Sequence, residues 1–297
     1  MVATAAAGAM GGALAKTTVA PLERTKIYFQ THPERRYRIK GALRYLKKLY
    51  SQDGVLSLWR GNSANMVRVI PYAAIQFTSH EQYKRLLGVA NRHSGKSPED
   101  KHLRHFLAGA MAGTTSQAMT YPLDRARAVM AVTHVGEYRN IFHVFTKILE
   151  REGFLALYRG LSPTMIGIIP YAGISFSTYE MLMRKWTERL KQQGQDGDPT
   201  HVQKLVSGGC AGLIGQASAY PLDIVRRRMQ TATQMGIESS RYSSITGTLK
   251  IIVEKEGFRK GLYKGYSMNC IKGPITSGIC FMTYEHFKKF WNTLLLK

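Results

Sequence analysis

One short phrase occurs three times in this chain, about 100 residues apart: Pro21-Leu22-Glu23-Arg24-Thr25-Lys26, Pro122-Leu123-Asp124-Arg125-Ala126-Arg127 and Pro221-Leu222-Asp223-Ile224-Val225-Arg226. Each is a proline, an acid two residues on and a base three residues after that, closing an apolar run rich in small residues. Such a chain must fold as three similar parts, so the repeat constrains everything else. Other landmarks keep the same step. Gly12, Gly113 and Gly212 stand nine residues before the prolines, each with a partner four residues earlier at Gly8, Gly109 or Gly208. These small-residue faces allow close helix approach. Downstream, Asp53-Gly54, Glu152-Gly153 and Glu256-Gly257 precede Trp59-Arg60-Gly61, Tyr158-Arg159-Gly160 and Tyr263-Lys264-Gly265, the third copy with one extra residue in the gap. The repeats run over 1–97, 98–199 and 200–297 and are expected to form one structural domain.

Forty-two Lys and Arg against nineteen Asp and Glu give a formal charge of +23 over 297 residues. Anionic partners are implied: nucleic acid, an acidic membrane surface or phosphorylated metabolites. Cys210, Cys270 and Cys280 show no CxxC spacing and read as small apolar residues.

Uncharged runs separate these options. Phe106–Leu123, Gly160–Tyr179 and Leu205–Leu222 contain no charge; Met1–Leu22, Gly61–Ser79 and Gly265–Tyr284 are broken only by Lys16, Arg68 and Lys272. Each is about long enough to cross a hydrocarbon core of roughly 30 Å as a helix. Six spans, two per repeat, are predicted. The low mean hydropathy of −0.21 fits helices with one face on lipid and one on a wet cavity. A nucleic-acid-binding repeat protein would explain the charge but not these runs. Residues 1–15 lack the basic start of a secretory or transit peptide, so targeting is expected to be internal or the start incomplete.

Pro21, Pro122 and Pro221 are expected inside the first helix of each repeat, where each removes a backbone hydrogen bond and kinks the helix. Three kinks draw three helix ends together, and the acid of one motif then meets the base of the next: Glu23 with Arg127, Asp124 with Arg226, Asp223 with Lys26. A ring of ion pairs closing one mouth of a cavity follows. Between the helices lies a basic amphipathic segment, as over Ile39–Leu49. The glycine corners after it read either as anion sites for acidic lipid headgroups or as plain turns.

These motifs together resemble the mitochondrial carrier family over essentially the whole chain. The resemblance implies an all-α membrane protein: six transmembrane helices in three pseudo-symmetric repeats around a central cavity, with short amphipathic matrix helices. It implies the inner mitochondrial membrane, alternating access between two salt-bridge networks, a monomer, no cofactor and association with a cardiolipin-like lipid. It also implies a glutamine brace behind the matrix gate, matched at Gln30 and Gln230, with Ala131 in the second repeat leaving that brace absent. The cytoplasmic network is matched fully by Tyr284-Glu285 with Lys288. Glu81 with Lys84 matches except that His80 replaces the aromatic residue, and Tyr179-Glu180 is followed by Met183 where a base belongs, with Arg184 adjacent.

A metabolite has no threefold axis, so residues that break the repeat should serve the ligand. Seven residues after the corners come Arg68, Gly167 and Lys272; five before the prolines come Lys16, Gln117 and Gln216. Cations at such depth are costly unless they face a cavity and meet an anion. Lys16, Arg68 and Lys272 are therefore expected to converge on phosphate, leaving a gap at Gly167-Ile168 for a flat ring beside Tyr171. In adenine nucleotide carriers the resemblance assigns such a glycine-aliphatic pair to the adenine.

Through Ser57–Arg68, Asn140–Phe145 and Tyr220–Gln230 the chain is most similar to the branch of the family that carries coenzyme A. That branch implies exchange of coenzyme A, dephospho-coenzyme A or adenosine 3',5'-bisphosphate for adenine nucleotides. The rival within the family is an ADP/ATP or ATP-Mg/phosphate exchanger. Against the first stands Arg226-Arg227-Arg228-Met229-Gln230-Thr231 where ADP/ATP carriers have RRRMMM; against the second, the want of an acidic calcium-binding extension. No GxxxxGK[ST] loop, HExxH or cluster with ligand spacing supports an enzyme.

Overall fold

The computed structural model describes residues 2–88, 98–134, 136–192, 199–237 and 239–295. All regular elements among them are helical. A long helix, a short amphipathic helix and a second long helix succeed one another three times: α1 (Val2–Thr31), α2 (Ile39–Asp53) and α3 (Asn62–Leu86); α4 (Pro98–Met119) with α5 (Tyr121–Val132), α6 (Ile141–Glu152) and α7 (Leu161–Gln192); α8 (His201–Thr231), α9 (Ile245–Glu256) and α11 (Tyr266–Leu295), with the short α10 (Phe258–Leu262) before the last.

The three prolines do not act alike. Pro21 and Pro221 sit inside unbroken α1 and α8. In the second repeat the helix breaks at Thr120, and Pro122 opens α5, in the first turn where its missing N–H costs nothing. The predicted kink is there a full interruption, and it places Asp124 in the first turn of a new helix, where the helix dipole favours an acid. The extra residue of the third copy also has a visible effect. The corner segments Val55–Trp59 and Phe154–Tyr158 are tight 3-10 turns, whereas Phe258–Leu262 has room for an α-turn.

The chain divides into two compact units: Met1–Ile27, Lys40–Arg159 and Lys272–Lys297 in the first, Tyr28–Ile39 and Gly160–Ile271 in the second. In the first, α3 lies along α4 and α5, and α6 buries Val144 and Ile148 against Ala126 and Val129 of α5. In the second, α9 buries Ile252 against Ile224 and Val225 of α8. Asn140 caps α6 by accepting from His143 N at 2.8 Å, and Ser244 caps α9 by accepting from Gly247 N at 3.1 Å; such caps contribute about 1 kcal/mol each. Helix α7 packs along α8 so closely that a Cβ on Gly215 would stand 2.9 Å from Tyr171 O and 2.8 Å from Ser175 Cβ.

Among the described residues no helix is long and apolar enough to cross a membrane. The six spans predicted from uncharged runs thus do not stand on hydropathy. The helices have the length, but the Ser, Thr, Gln and Gly of those same runs dilute their apolar character.

Candidate functional site

In the first unit, α1, α3, α5 and α11 bring four cations to two carboxylates. Glu23 accepts from Lys272 Nζ at 2.7 Å and also pairs with Arg127, which donates to Asn65 Oδ1 at 3.1 Å. Arg68 lies 3.0 Å from Asp124 Oδ1, donates to Thr120 Oγ1 at 3.1 Å and to Gln117 Oε1, and sits over the Tyr72 ring, 5.0 Å from its centroid. Lys16 is within electrostatic reach of Arg68, Lys272, Arg127 and Glu23. The expected Glu23–Arg127 pair is present. Asp124, expected opposite Arg226, is engaged by Arg68. The expected ligand cations and the expected gate acids therefore form one cluster, in which the cations outnumber the acids. Asp124 is 2% exposed and the Arg68 side chain 16%, so the pair is largely withdrawn from solvent, where separating two charges costs most.

In the second unit, Gln30 Nε2 donates to Asp223 Oδ2 at 3.2 Å and to Tyr220 Oη at 3.0 Å. Gln230 is used differently, accepting from Arg227 Nη1 at 3.0 Å. At Ala131, where no brace was expected, the backbone carbonyl accepts from Arg24 Nε at 3.2 Å, within the first unit. Gly167 faces Leu222 of α8, and a Cβ built there would meet Leu222 Cβ at an ordinary 3.7 Å. Ile168 is half-buried and Tyr171 is exposed on the same helix. In this conformation Leu222 is thus the neighbour of Gly167 across the helix contact.

The glycine corners show chemistry that sequence reasoning missed. Gly54, Gly153 and Gly257 have φ of 77, 80 and 81°, a region that side chains disfavour. They turn the chain so that Arg159 Nη1 meets Glu152 Oε2 at 2.9 Å and Lys264 Nζ meets Glu256 Oε2 at 2.9 Å. Each acid takes a second cation from the helix it packs on: Arg125, at 2.9 Å from Glu152, and Arg228, beside Glu256. Burial draws the Arg125 guanidinium below its ordinary range, with Glu152 opposing. Tyr121 and Tyr220, each just before a motif proline, donate to Arg159 O at 3.1 Å and Lys264 O at 2.8 Å. That pair of tyrosines was the available signal. Arg60 instead donates to Met130 O and Tyr138 O at 3.2 and 3.4 Å.

At the other ends of the helices, Glu81 and Lys84 pair with each other on α3, 2.6 Å apart, and Lys84 holds the carboxyl of Glu81 below its ordinary value. Tyr179 is half-buried, and Glu180 and Arg184 are exposed on α7. The side chains of Tyr284, Glu285 and Lys288 lie outside the described residues.

The family model described as mitochondrial carrier protein matches residues 1–91, 98–190 and 197–294. The mitochondrial coenzyme A transporter SLC25A42 of Xenopus laevis is 54% identical over 278 residues, covering 94% of this chain and 82% of its own length. Its human namesake is 53% identical over 279 residues, covering 94% and 84%. Solute carrier family 25 member 16 of Bos taurus is 39% identical over 298 residues, covering 96% and 88%. With the family matched three times along its length, the chain belongs to the mitochondrial carrier family: a multi-pass protein of the mitochondrial inner membrane, and a transporter rather than an enzyme.

Proposed function

We propose that this carrier exchanges coenzyme A, or dephospho-coenzyme A or adenosine 3',5'-bisphosphate, for adenine nucleotides by alternating access. The architecture we infer is six transmembrane helices in three repeats around a central cavity, acting as a monomer with a cardiolipin-like lipid at the glycine corners. Two kinds of support meet here. Relatives with about half their residues identical bear the name coenzyme A transporter. The second support, and the observation that carries the mechanism, is the pairing of Arg68 with Asp124 and of Lys272 with Glu23.

In that pairing the cations suited to a ligand phosphate hold the acids suited to a gate. An arriving phosphate competes for Arg68 and Lys272, and with Lys16 beside them it gains charge-assisted hydrogen bonds. Released from Lys272, Glu23 keeps Arg127, and Asp124 gives up its contact with Arg68, so the charge balance around both acids shifts as the phosphate arrives. Substrate binding and gate rearrangement are then one exchange of ion-pair partners, and an empty carrier has no phosphate to take up the freed cations. That asymmetry favours exchange over leak. The adenine lies against Gly167, Ile168 and Tyr171 once Leu222 shifts.

The test is uptake of labelled coenzyme A into liposomes preloaded with ADP. Arg68→Ala and Lys272→Ala are each expected to lower the exchange rate about 100-fold or more, the loss typical of truncating one partner of a buried charge pair, while the protein still inserts. Undiminished uptake by both variants would refute the site; uptake of ADP but not coenzyme A by the unaltered chain would favour the ADP/ATP reading.

A further inference from the structure

The second unit holds a cavity of about 510 Å³ whose walls contain none of the residues discussed above as ligand or gate groups. It lies at the end of α1, where Tyr28 and His32 line it, and is a cleft open to solvent, bordered by the stretch that follows α8 and by α9, with Arg35, Arg241 and Lys255 exposed at its rim. Its volume is within the roughly 300–1,000 Å³ range of small-molecule sites. Its chemistry is lopsided. Arg35, Arg241 and Lys255 line it against one acid, Glu34, and among the described residues none of these three cations forms an ion pair. Unneutralised cations around a concave space favour an anion.

The remaining wall is aromatic and apolar. Tyr28 and His32 lie face to face, ring centroids 3.8 Å apart and tilted by 35°, and Tyr242 is 4% exposed. Gln234 places a buried amide oxygen in the lining with no hydrogen-bond partner, an acceptor suited to an amino or hydroxyl group. The floor is held in place. Lys264 Nζ donates to His32 O at 2.7 Å and to Pro33 O at 3.3 Å while bound to Glu256, and Arg228 Nε donates to Gln30 O at 2.9 Å. Among the described residues no cluster of metal ligands occurs.

We propose that this cavity is a second ligand site that binds a phosphorylated aromatic metabolite of mononucleotide size, the phosphate between Arg35, Arg241 and Lys255 and the ring against Tyr28 and Tyr242. The assignment does not depend on which substrate is transported.

The experiment titrates a fluorescent trinitrophenyl-ATP onto the 297-residue chain in phosphatidylcholine nanodiscs, with Arg68→Ala and Lys272→Ala present to silence the first-unit cluster. Saturable binding, displaced by AMP and weakened by salt, is expected to persist in that background. Adding Arg241→Glu and Lys255→Glu is expected to weaken it about 100-fold, roughly tenfold for each lost charged contact. In the unaltered chain, photolabelling with azido-ATP is expected to mark peptides between Gln234 and Lys255, which decides the matter even where the charge-reversal variant misfolds. Loss of all binding in the Arg68→Ala/Lys272→Ala background, affinity unmoved by the charge reversals, or occupancy by cardiolipin in place of nucleotide would each overturn the proposal.

Discussion

The corner after α6 and the corner after α2 lie in the same unit and make the same turn, yet they are held by different chemistry. After α6, Glu152 stands between Arg125 and Arg159, 2.9 Å from each, and Tyr121 fastens the Arg159 carbonyl. After α2, the corresponding Asp53 has His134 at 4.0 Å, an 83% exposed partner, and Ala20 occupies the place of the tyrosine. The basic residue, Arg60, reaches instead to the carbonyls of Met130 and Tyr138, and Trp59 Nε1 donates to Thr17 O at 2.8 Å. Asp is one methylene shorter than Glu, and Asp53 acts on Arg24 and Arg60 by longer-range attraction. The first corner is consequently tied to its neighbour by neutral acceptors, and the second is closed upon itself by charge.

The third corner, in the other unit, sides with the second, but draws its helix-borne cation from a different place. Arg125 follows its motif proline by three residues and Arg228 by seven. The electrostatic solution recurs although the residue supplying it does not. A corner of this kind selects a geometry around a buried acid and accepts whichever side chain arrives there.

The contrast is broken most severely at the acid. Glu152→Gln is expected to destabilise the protein by about 3 kcal/mol, because it leaves fully buried Arg125 without a counter-charge. Asp53→Asn should cost about 0.5 kcal/mol or less, given its distant and exposed partner. Thermal unfolding in detergent measures both, and equal shifts would abolish the distinction. Next in size, Tyr121→Phe and Tyr220→Phe each remove a hydrogen bond to a corner carbonyl, and Tyr220→Phe also removes the one its hydroxyl accepts from Gln30. Each should cost about 1.5 kcal/mol, with Lys264 O and Arg159 O left unsatisfied. Trp59→Phe tests the neutral tie of the first corner and should cost about 1 kcal/mol by the same reasoning. A larger loss at Trp59 than at Glu152 would invert the comparison.

One contact of the candidate site was legible before any coordinates, the pair Glu23–Arg127, for a simple reason. Both residues belong to motifs in register, so equal depth in neighbouring repeats places them near each other. The pairing of Asp124 with Arg68 was not legible. It depends on the break at Thr120, and Pro122 looks the same in sequence as Pro21 and Pro221, which lie inside continuous helices. The double use of Glu23 by Arg127 and Lys272 was hidden for a related reason, since a carboxylate has lone pairs for more than one donor and periodicity assigns it only one. At Gly167 the sequence did not show which residue stands opposite: Leu222, at ordinary contact distance from a Cβ built there.

By itself the amino-acid sequence determined the helical class and the family, matched in three stretches of the chain, because backbone propensity, glycine placement and repeat spacing act over a few neighbouring residues or over whole repeats. The tertiary structure alone decided which charge meets which. Ion pairs form within about 4 Å, and that distance depends on helix breaks, rotamers and side-chain length, which a motif of prolines, acids and bases does not encode.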